Sequence, residues 1–180
     1  AIHVCLINNL SVNAIIKSIN SIKSVPGRME YIGDSENKVY IDYAHSPDAF
    51  ENILSVINDI KNKSHKVITL FGCGGDRDSL KRAEMARISE KYSNLTVITS
   101  DNPRTESLEN IIADIIKGFS SNKYKIIEDR KDAVNYVMSI LDEESILLIL
   151  GKGRENYQIV GKTKKEHSDI RLVGKFLNEN

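Results

Sequence analysis

The sequence contains no tryptophan, two cysteines, three prolines and no net charge, and each scarcity narrows the field. Cys5 and Cys73 lie far apart, neither sits at metal-ligand spacing, and the four histidines are scattered. No metal site and no disulfide framework is expected, and free thiols suit a reducing, cytoplasmic compartment. Aromatic residues are 6% of the chain and are not interleaved with arginine, which argues against base-stacking platforms. Basic and acidic residues balance at 25 each, and the densest cationic run, Lys162-Thr163-Lys164-Lys165, reads as a solvated turn. No nucleic-acid partner is expected. No apolar run approaches the roughly 20 residues that span a bilayer, and no signal-peptide pattern opens the chain, so no membrane partner is expected either.

What is present is an ordinary globular balance, 41% hydrophobic and 28% charged, in 180 residues. That length suits one domain with a fragment of a second. Ala1 to Asn9 reads as mid-helix without an initiator methionine, as a piece of a longer protein would. Ser11 then caps a helix whose apolar stripe is Val12, Ile15, Ile16, Ile19 and Ile22. A boundary falls near Ser24 to Gly27. Met29–Ile32 and Val39–Tyr43 read as strands around a polar turn, and Ser46-Pro47 opens a helix lined by Phe50, Ile53, Leu54, Ile57 and Ile60.

Beyond that point strands and helices alternate. Strands are expected at Val67–Phe71, Leu95–Thr99, Lys125–Ile127, Ile146–Leu150 and Tyr157–Val160. Helices are expected at Leu80–Tyr92, from Ser107 to about Phe119, near Lys131–Leu141, and after Ser168. Continuous apolar strands between amphipathic helices predict an α/β fold, a Rossmann-like, mainly parallel sheet with helices on both faces. Ligands of such sheets bind beyond the carboxyl ends of the strands. Gly72 to Asp78, Asp101 to Glu106 and Gly151 to Asn156 fall there, and they are the polar, glycine-rich parts of the chain.

Gly72-Cys73-Gly74-Gly75-Asp76-Arg77-Asp78 joins a strand to a helix as a phosphate loop would, but Arg77 occupies the third glycine position of the dinucleotide fingerprint. A tight turn and a zwitterion site both remain open readings. Gly161-Lys162-Thr163 resembles the end of a P-loop, but Asn156 stands where the first glycine belongs, so a hairpin turn is preferred. Asp101-Asn102-Pro103-Arg104 is either a turn or a holder for an amino acid. Arg104 offers a fork for a carboxylate, Asp101 a partner for an ammonium, Asn102 donors and acceptors, and Pro103 stiffness. Gly151-Lys152-Gly153-Arg154-Glu155-Asn156 permits close backbone approach and adds Glu155 as a cation partner. Asp42 and His45 flank the start of a helix whose N-terminus favours anions.

Taken in order, Val25-Pro-Gly-Arg-Met-Glu, Asp42-Tyr-Ala-His-Ser-Pro-Asp, Phe71-Gly-Cys-Gly-Gly-Asp-Arg-Asp, Asp101-Asn-Pro-Arg-Thr-Glu and Gly151-Lys-Gly resemble successive motifs of the Mur ligase family. They are most similar to its members that attach meso-diaminopimelate. The resemblance covers essentially the whole chain. It implies that residues 1–24 are closing helices of a central ATPase domain and that residues 25–180 are the C-terminal amino-acid-binding domain. By position, Arg77, Asp101, Asn102, Pro103, Arg104, Gly151 and Glu155 would hold meso-diaminopimelate, and Arg28, Asp42 and His45 would face the nucleotide. The implied reaction is ATP-driven amide formation through an acyl phosphate. ATP, Mg²⁺ and the UDP-N-acetylmuramoyl-dipeptide would be bound mainly by other domains, leaving no catalytic residue in this chain. The family commonly has His-Glu-Asp after Gly-Lys-Gly, where this chain has Arg154-Glu155-Asn156. Two alternatives stand beside this reading: a ligase of the same type for another amino acid, and a non-catalytic amino-acid-binding module.

Overall fold

The computed structural model describes residues 2–21, 25–33 and 38–179. Two helices come first, α1 (Ile2–Ile7) and α2 (Val12–Ser21), followed by β1 (Glu30–Tyr31) and β2 (Lys38–Asp42). The main alternation runs α3 (Pro47–Ile60), β3 (Lys66–Phe71), α4 (Leu80–Tyr92), β4 (Leu95–Ile98), α5 (Leu108–Ile116), β5 (Tyr124–Ile126), α6 (Arg130–Ser139) and β6 (Ser145–Leu150). A hairpin of β7 (Tyr157–Val160) and β8 (Thr163–Glu166) leads to α7 (Asp169–Glu179).

Six strands form one sheet in the order β1-β2-β6-β3-β4-β5, with β1 antiparallel to β2 and every other pair parallel. The period-2 alternation of strand side chains sorts the apolar runs into two cores. Ile146, Leu148 and Leu150 join Val67, Phe71 and Ile98 beneath α3, α4 and α5. Leu147 and Ile149 join Val39, Ile41, Ile68, Leu70 and Val97 beneath α6 and α7. β6 is buried on both faces along its whole length, so a continuous apolar run was the right signature for a central parallel strand. The fold is the α/β, mainly parallel, two-face-covered sheet expected from the sequence.

Caps set the helix starts that aim the loops. Ser46 accepts from Ala49 N with Pro47 at the first helical position, and Asp129 accepts from Asp132 N. Ser107 stands at the N-cap of α5, but no side-chain capping bond is made there among the described residues. α5 also stops at Ile116, short of Phe119. A Cβ on Gly118 would lie 2.0 Å from Ala83 O, so the chain leaves the helix where it passes α4 in near-contact. Phe119 then packs on Tyr124, ring centroids 4.7 Å apart. The lysine-rich run read as a turn is mostly strand β8, exposed throughout, and Gly161 at φ 59° makes the turn before it. Ile22, Ser24 and the polar turn at 34–37 lie outside the described residues.

Candidate functional site

The loops after β2, β3, β4 and β6 meet at the carboxyl edge of the sheet, and close backbone approach fixes their spacing. A Cβ on Gly72 would sit 2.2 Å from Thr99 O, and one on Gly75 only 1.9 Å from Pro103 O. Glycine is required there because backbone touches backbone, whereas a tight turn alone would not demand it. Polar ties finish the job: Gly75 N donates to Asn102 O at 2.9 Å, and Asp76 accepts from both Thr105 N and Thr105 Oγ1. Beneath these loops the buried Arg82 grips Glu106 through two nitrogens, at 2.6 and 2.7 Å, and reaches Asp114 and Gly74 O. The Arg82 hydrogen bonds hold the Glu106 carboxyl below its ordinary range.

Together these loops enclose an open cavity of about 270 Å³. Six of the residues singled out from sequence line it: Arg77, Asp101, Asn102, Arg104, Gly151 and Glu155. His45 joins them, with Tyr43 and Lys81, which the sequence did not flag. Pro103 is buried behind the wall, against Gly75. Cys73 also lines the cavity, but burial pushes its thiol up to about 12, which keeps it a neutral, unreactive wall group.

The arginines differ in how firmly they are held. Arg104 has φ 54°, a left-handed backbone that costs a non-glycine residue on the order of 1 kcal/mol. The strain is sustained by the hairpin: Arg104 N donates to Ile159 O, and Gly161 N donates to Arg104 O. Its Nη1 donates to Gly75 O at 2.9 Å and Asn102 O at 3.3 Å. Nε and Nη2 meet no acceptor among the described residues, and Arg104 lines the cavity. Arg77 is exposed and, among the described residues, donates only to the adjacent Asp76 O.

Behind the lining of the cavity lies a residue that reads from sequence only as part of a flexible turn. Lys152 is fully buried, with its ammonium 3.1 Å from Asn102 Oδ1, 3.2 Å from Glu155 Oε2 and 2.9 Å from Tyr157 O. Asp101 Oδ1 lies 3.6 Å away. β7 supplies the other side of the frame: Gln158 Nε2 donates to Ser100 Oγ and Asp101 O, and Ile159 N donates to Asn102 Oδ1 at 2.8 Å.

A second buried cation lies deeper. Arg130 donates to Asp169 at 2.9 and 3.0 Å, to Leu150 O at 3.0 Å and to Ser100 O at 3.3 Å. Its guanidinium thus spans the ends of β6 and β4 on either side of β3, from which two of the site loops depart. Burial raises the Asp169 carboxyl, but the Arg130 charge and hydrogen bonds from His167 and Arg130 outweigh it and hold it far below its ordinary range.

Of the three residues expected at the nucleotide edge, Arg28 and His45 meet at Tyr43 and Asp42 lies buried. Arg28 is exposed with its guanidinium 5.0 Å from the Tyr43 ring centroid, and His45 is exposed with Nδ1 2.9 Å from Tyr43 O. Asp42 is buried, and its carboxylate accepts from Met29 N and Ala44 N, each at 2.6 Å. Arg154, where the resembled motif commonly has histidine, is not among the cavity's lining residues and pairs with Glu30, whose carboxylate also accepts from Gly27 N. That ion pair fastens the loop after β6 to the segment leading into β1. Among the described residues no group of three or more His, Cys, Asp or Glu stands where it could hold a metal ion.

A fold with this edge and these loops has known relatives. The family described as Mur ligase, glutamate ligase domain, matches residues 27–153. The UDP-N-acetylmuramoyl-L-alanyl-D-glutamate--2,6-diaminopimelate ligase of Fusobacterium nucleatum is 44% identical over 177 residues, covering 97% of this chain and 36% of that protein. The ligase of the same name from Leptospira interrogans is 45% identical over 170 residues, covering 92% and 33%. This chain therefore spans about a third of the length of these curated relatives. A solved structure of a ligase of that name superposes with TM-score 0.80 at 33% identity, covering 96% of this chain and 35% of that one. A Mycobacterium tuberculosis folylpolyglutamate synthase complexed with ADP and AMPPCP shares the fold at TM-score 0.61 and 19% identity, covering 92% and 34%. On the family match across most of its length and on these identities, the chain belongs to the Mur ligase family.

Proposed function

We propose that this chain is the amino-acid-binding portion of an ATP-dependent ligase that joins meso-diaminopimelate to UDP-N-acetylmuramoyl-L-alanyl-D-glutamate. The observation that carries the reading is the convergence of Arg77, Asp101, Asn102, Arg104, Gly151 and Glu155 on one cavity, with both signs of charge represented. Such a site suits an α-amino acid, whose ammonium and carboxylate need opposite partners a few ångströms apart. Asp101 and Glu155 would take an ammonium, and the open edge of Arg104 would take a carboxylate. Diaminopimelate differs from lysine by its second carboxylate, which is what a spare arginine fork would select. The names of the relatives at 44–45% identity point to the same amino acid.

We assign the holding of ATP and Mg²⁺ mainly to parts of the enzyme outside this chain. The glycine loop after β3 is tied to the loop after β4, and among the described residues no three His, Cys, Asp or Glu gather where they could hold a metal ion. Arg28 and His45 are exposed on the edge that we assign to the nucleotide side, while Asp42 shapes that edge by holding the backbone of Met29 and Ala44. In this division of labour the chain's own residues bind and orient the amine that attacks the activated D-glutamyl carboxyl. Holding it in place makes the attack effectively unimolecular. We further assign residues 1–24 to the end of a central ATPase domain and residues 25–180 to the C-terminal domain. α1 has no buried residue and α2 only Ile15, which leaves Val4, Ile7, Val12 and Ile16 exposed, and the family match starts at residue 27.

Titration of the ¹⁵N-labelled chain with meso-diaminopimelate, followed by NMR amide shifts, tests the reading. Saturable shifts confined to residues 72–78, 101–105 and 151–155, with weaker binding of L-lysine, are the expected result. No shift in those loops at millimolar ligand overturns it.

A further inference from the structure

Lys152 does not line the cavity, yet it touches three residues that do. Its three ammonium hydrogens are matched by Asn102 Oδ1, Glu155 Oε2 and Tyr157 O, and Asp101 Oδ1 lies within ion-pair distance. A fully buried ammonium persists only where such acceptors surround it. Two consequences follow for the pocket. Asn102 Oδ1 receives both Lys152 Nζ and Ile159 N, which occupies its two lone pairs and fixes the amide with Nδ2 toward Glu155. One Nδ2 hydrogen is spent on Glu155, so Asn102 presents its one remaining hydrogen-bond donor to a ligand. Asp101 and Glu155 together bring two negative charges to the floor, and Lys152 removes one of them.

We propose that Lys152 is the positioning residue that sets the charge preference of this pocket, leaving a floor of net charge −1 matched to one ligand ammonium. The proposal rests on the amino-acid-binding reading above. If Lys152 is instead only a structural plug, its loss weakens every ligand alike. If it sets the charge, its loss changes affinities in order of ligand charge, because the floor gains one negative charge close to the ligand.

The test uses the 180-residue chain and three probes that share one α-amino-acid end: L-lysine at net charge +1, meso-diaminopimelate at 0 and 2-aminopimelate at −1. In Lys152→Met, lysine is expected to gain about tenfold relative to diaminopimelate, and 2-aminopimelate to lose a similar factor, as one added unit charge a few ångströms away at a partly hydrated site implies. Lys152→Arg, which keeps the charge, is expected to retain the wild-type order. An equal loss for all three probes in Lys152→Met overturns the proposal while leaving the functional reading intact. Failure of the wild type to bind diaminopimelate overturns both. If Lys152→Met gives no folded amide spectrum, lysine-selective ¹⁵N NMR of the wild type decides. The Lys152 Nζ resonance is expected to shift in step with the pocket amides as diaminopimelate saturates the site, and an unmoved resonance overturns the proposal.

Discussion

Replacing Arg130 by methionine should be among the most damaging single substitutions in this chain, and the structure supplies the magnitude. Arg130 and Asp169 side chains are both 0% exposed and are joined by charge-assisted bonds at 2.9 and 3.0 Å. Methionine fills much of the volume but leaves a buried carboxylate with His167 as its remaining side-chain partner, and removes a donor from Ser100 O and Leu150 O. Breaking a buried pair from one side costs about 3–5 kcal/mol, against a typical domain stability of about 5–15 kcal/mol. Urea denaturation followed by far-UV circular dichroism should show that loss as a lower midpoint at unchanged slope. Arg130→Met/Asp169→Leu removes both charges, and most of the stability is expected to return, since a buried pair replaced by apolar groups is often neutral. The pH dependence has a definite sign. Because the folded Asp169 carboxyl is held below its unfolded value of about 3.9, its contribution is complete above that value and is lost progressively as pH falls from there toward the lower folded value. The wild type should therefore lose more stability between about pH 5 and pH 2 than the double variant does. A single variant within about 1 kcal/mol of wild type, or a double variant no more stable than the single, would refute this account of the network.

Five further outcomes are expected. Arg104→Ala should narrow the preference for diaminopimelate over lysine, by the roughly 1.5–3 kcal/mol of a charged hydrogen bond, in competition binding. Arg104→Gly should lose the same selectivity yet melt higher than Arg104→Ala, by about 1 kcal/mol of stability, because φ 54° suits glycine. Gly75→Ala should cost about 1–3 kcal/mol in urea denaturation and shift the amides of residues 101–104, since its Cβ would drive into Pro103 O. For Glu90, burial raises the carboxyl, but bonds from the Ser120 and Ser121 amides and hydroxyls outweigh it and hold it at about 2, so Glu90→Gln should destabilise at pH 7 and converge on wild type as pH falls through about 2. The isolated chain with ATP and Mg²⁺ should release no phosphate above background in a coupled assay, and turnover would contradict the division of roles proposed above.

Local rules were enough for the architecture of this protein. Ile146 to Leu150 is apolar at every position because β6 lies between two strands with helices on both faces, and periodicity states that directly. α4 was legible to the residue at both ends. α3 was legible because Ser46 and Pro47 mark its start and Phe50, Leu54 and Ile57 mark its buried face, although Ile60, expected on that face, is exposed at the helix end. The candidate binding residues were legible as motifs at strand ends, where a parallel sheet places ligands. What tertiary structure alone decided is which charges go inside. Nothing local marks Arg82, Arg130 or Lys152 for burial, because burial of a cation depends on acceptors distant in sequence: Glu106 and Asp114 for Arg82, Asp169 for Arg130, Asn102 and Asp101 for Lys152. Arg154 turned toward Glu30 for the same reason, across most of the chain length. The left-handed backbone at Arg104 is likewise set from outside, by hairpin β7–β8 bonding its amide and carbonyl. Spacing along a chain encodes which face a residue occupies, but the partner that makes a buried charge tolerable is chosen only when the strands and loops are brought together.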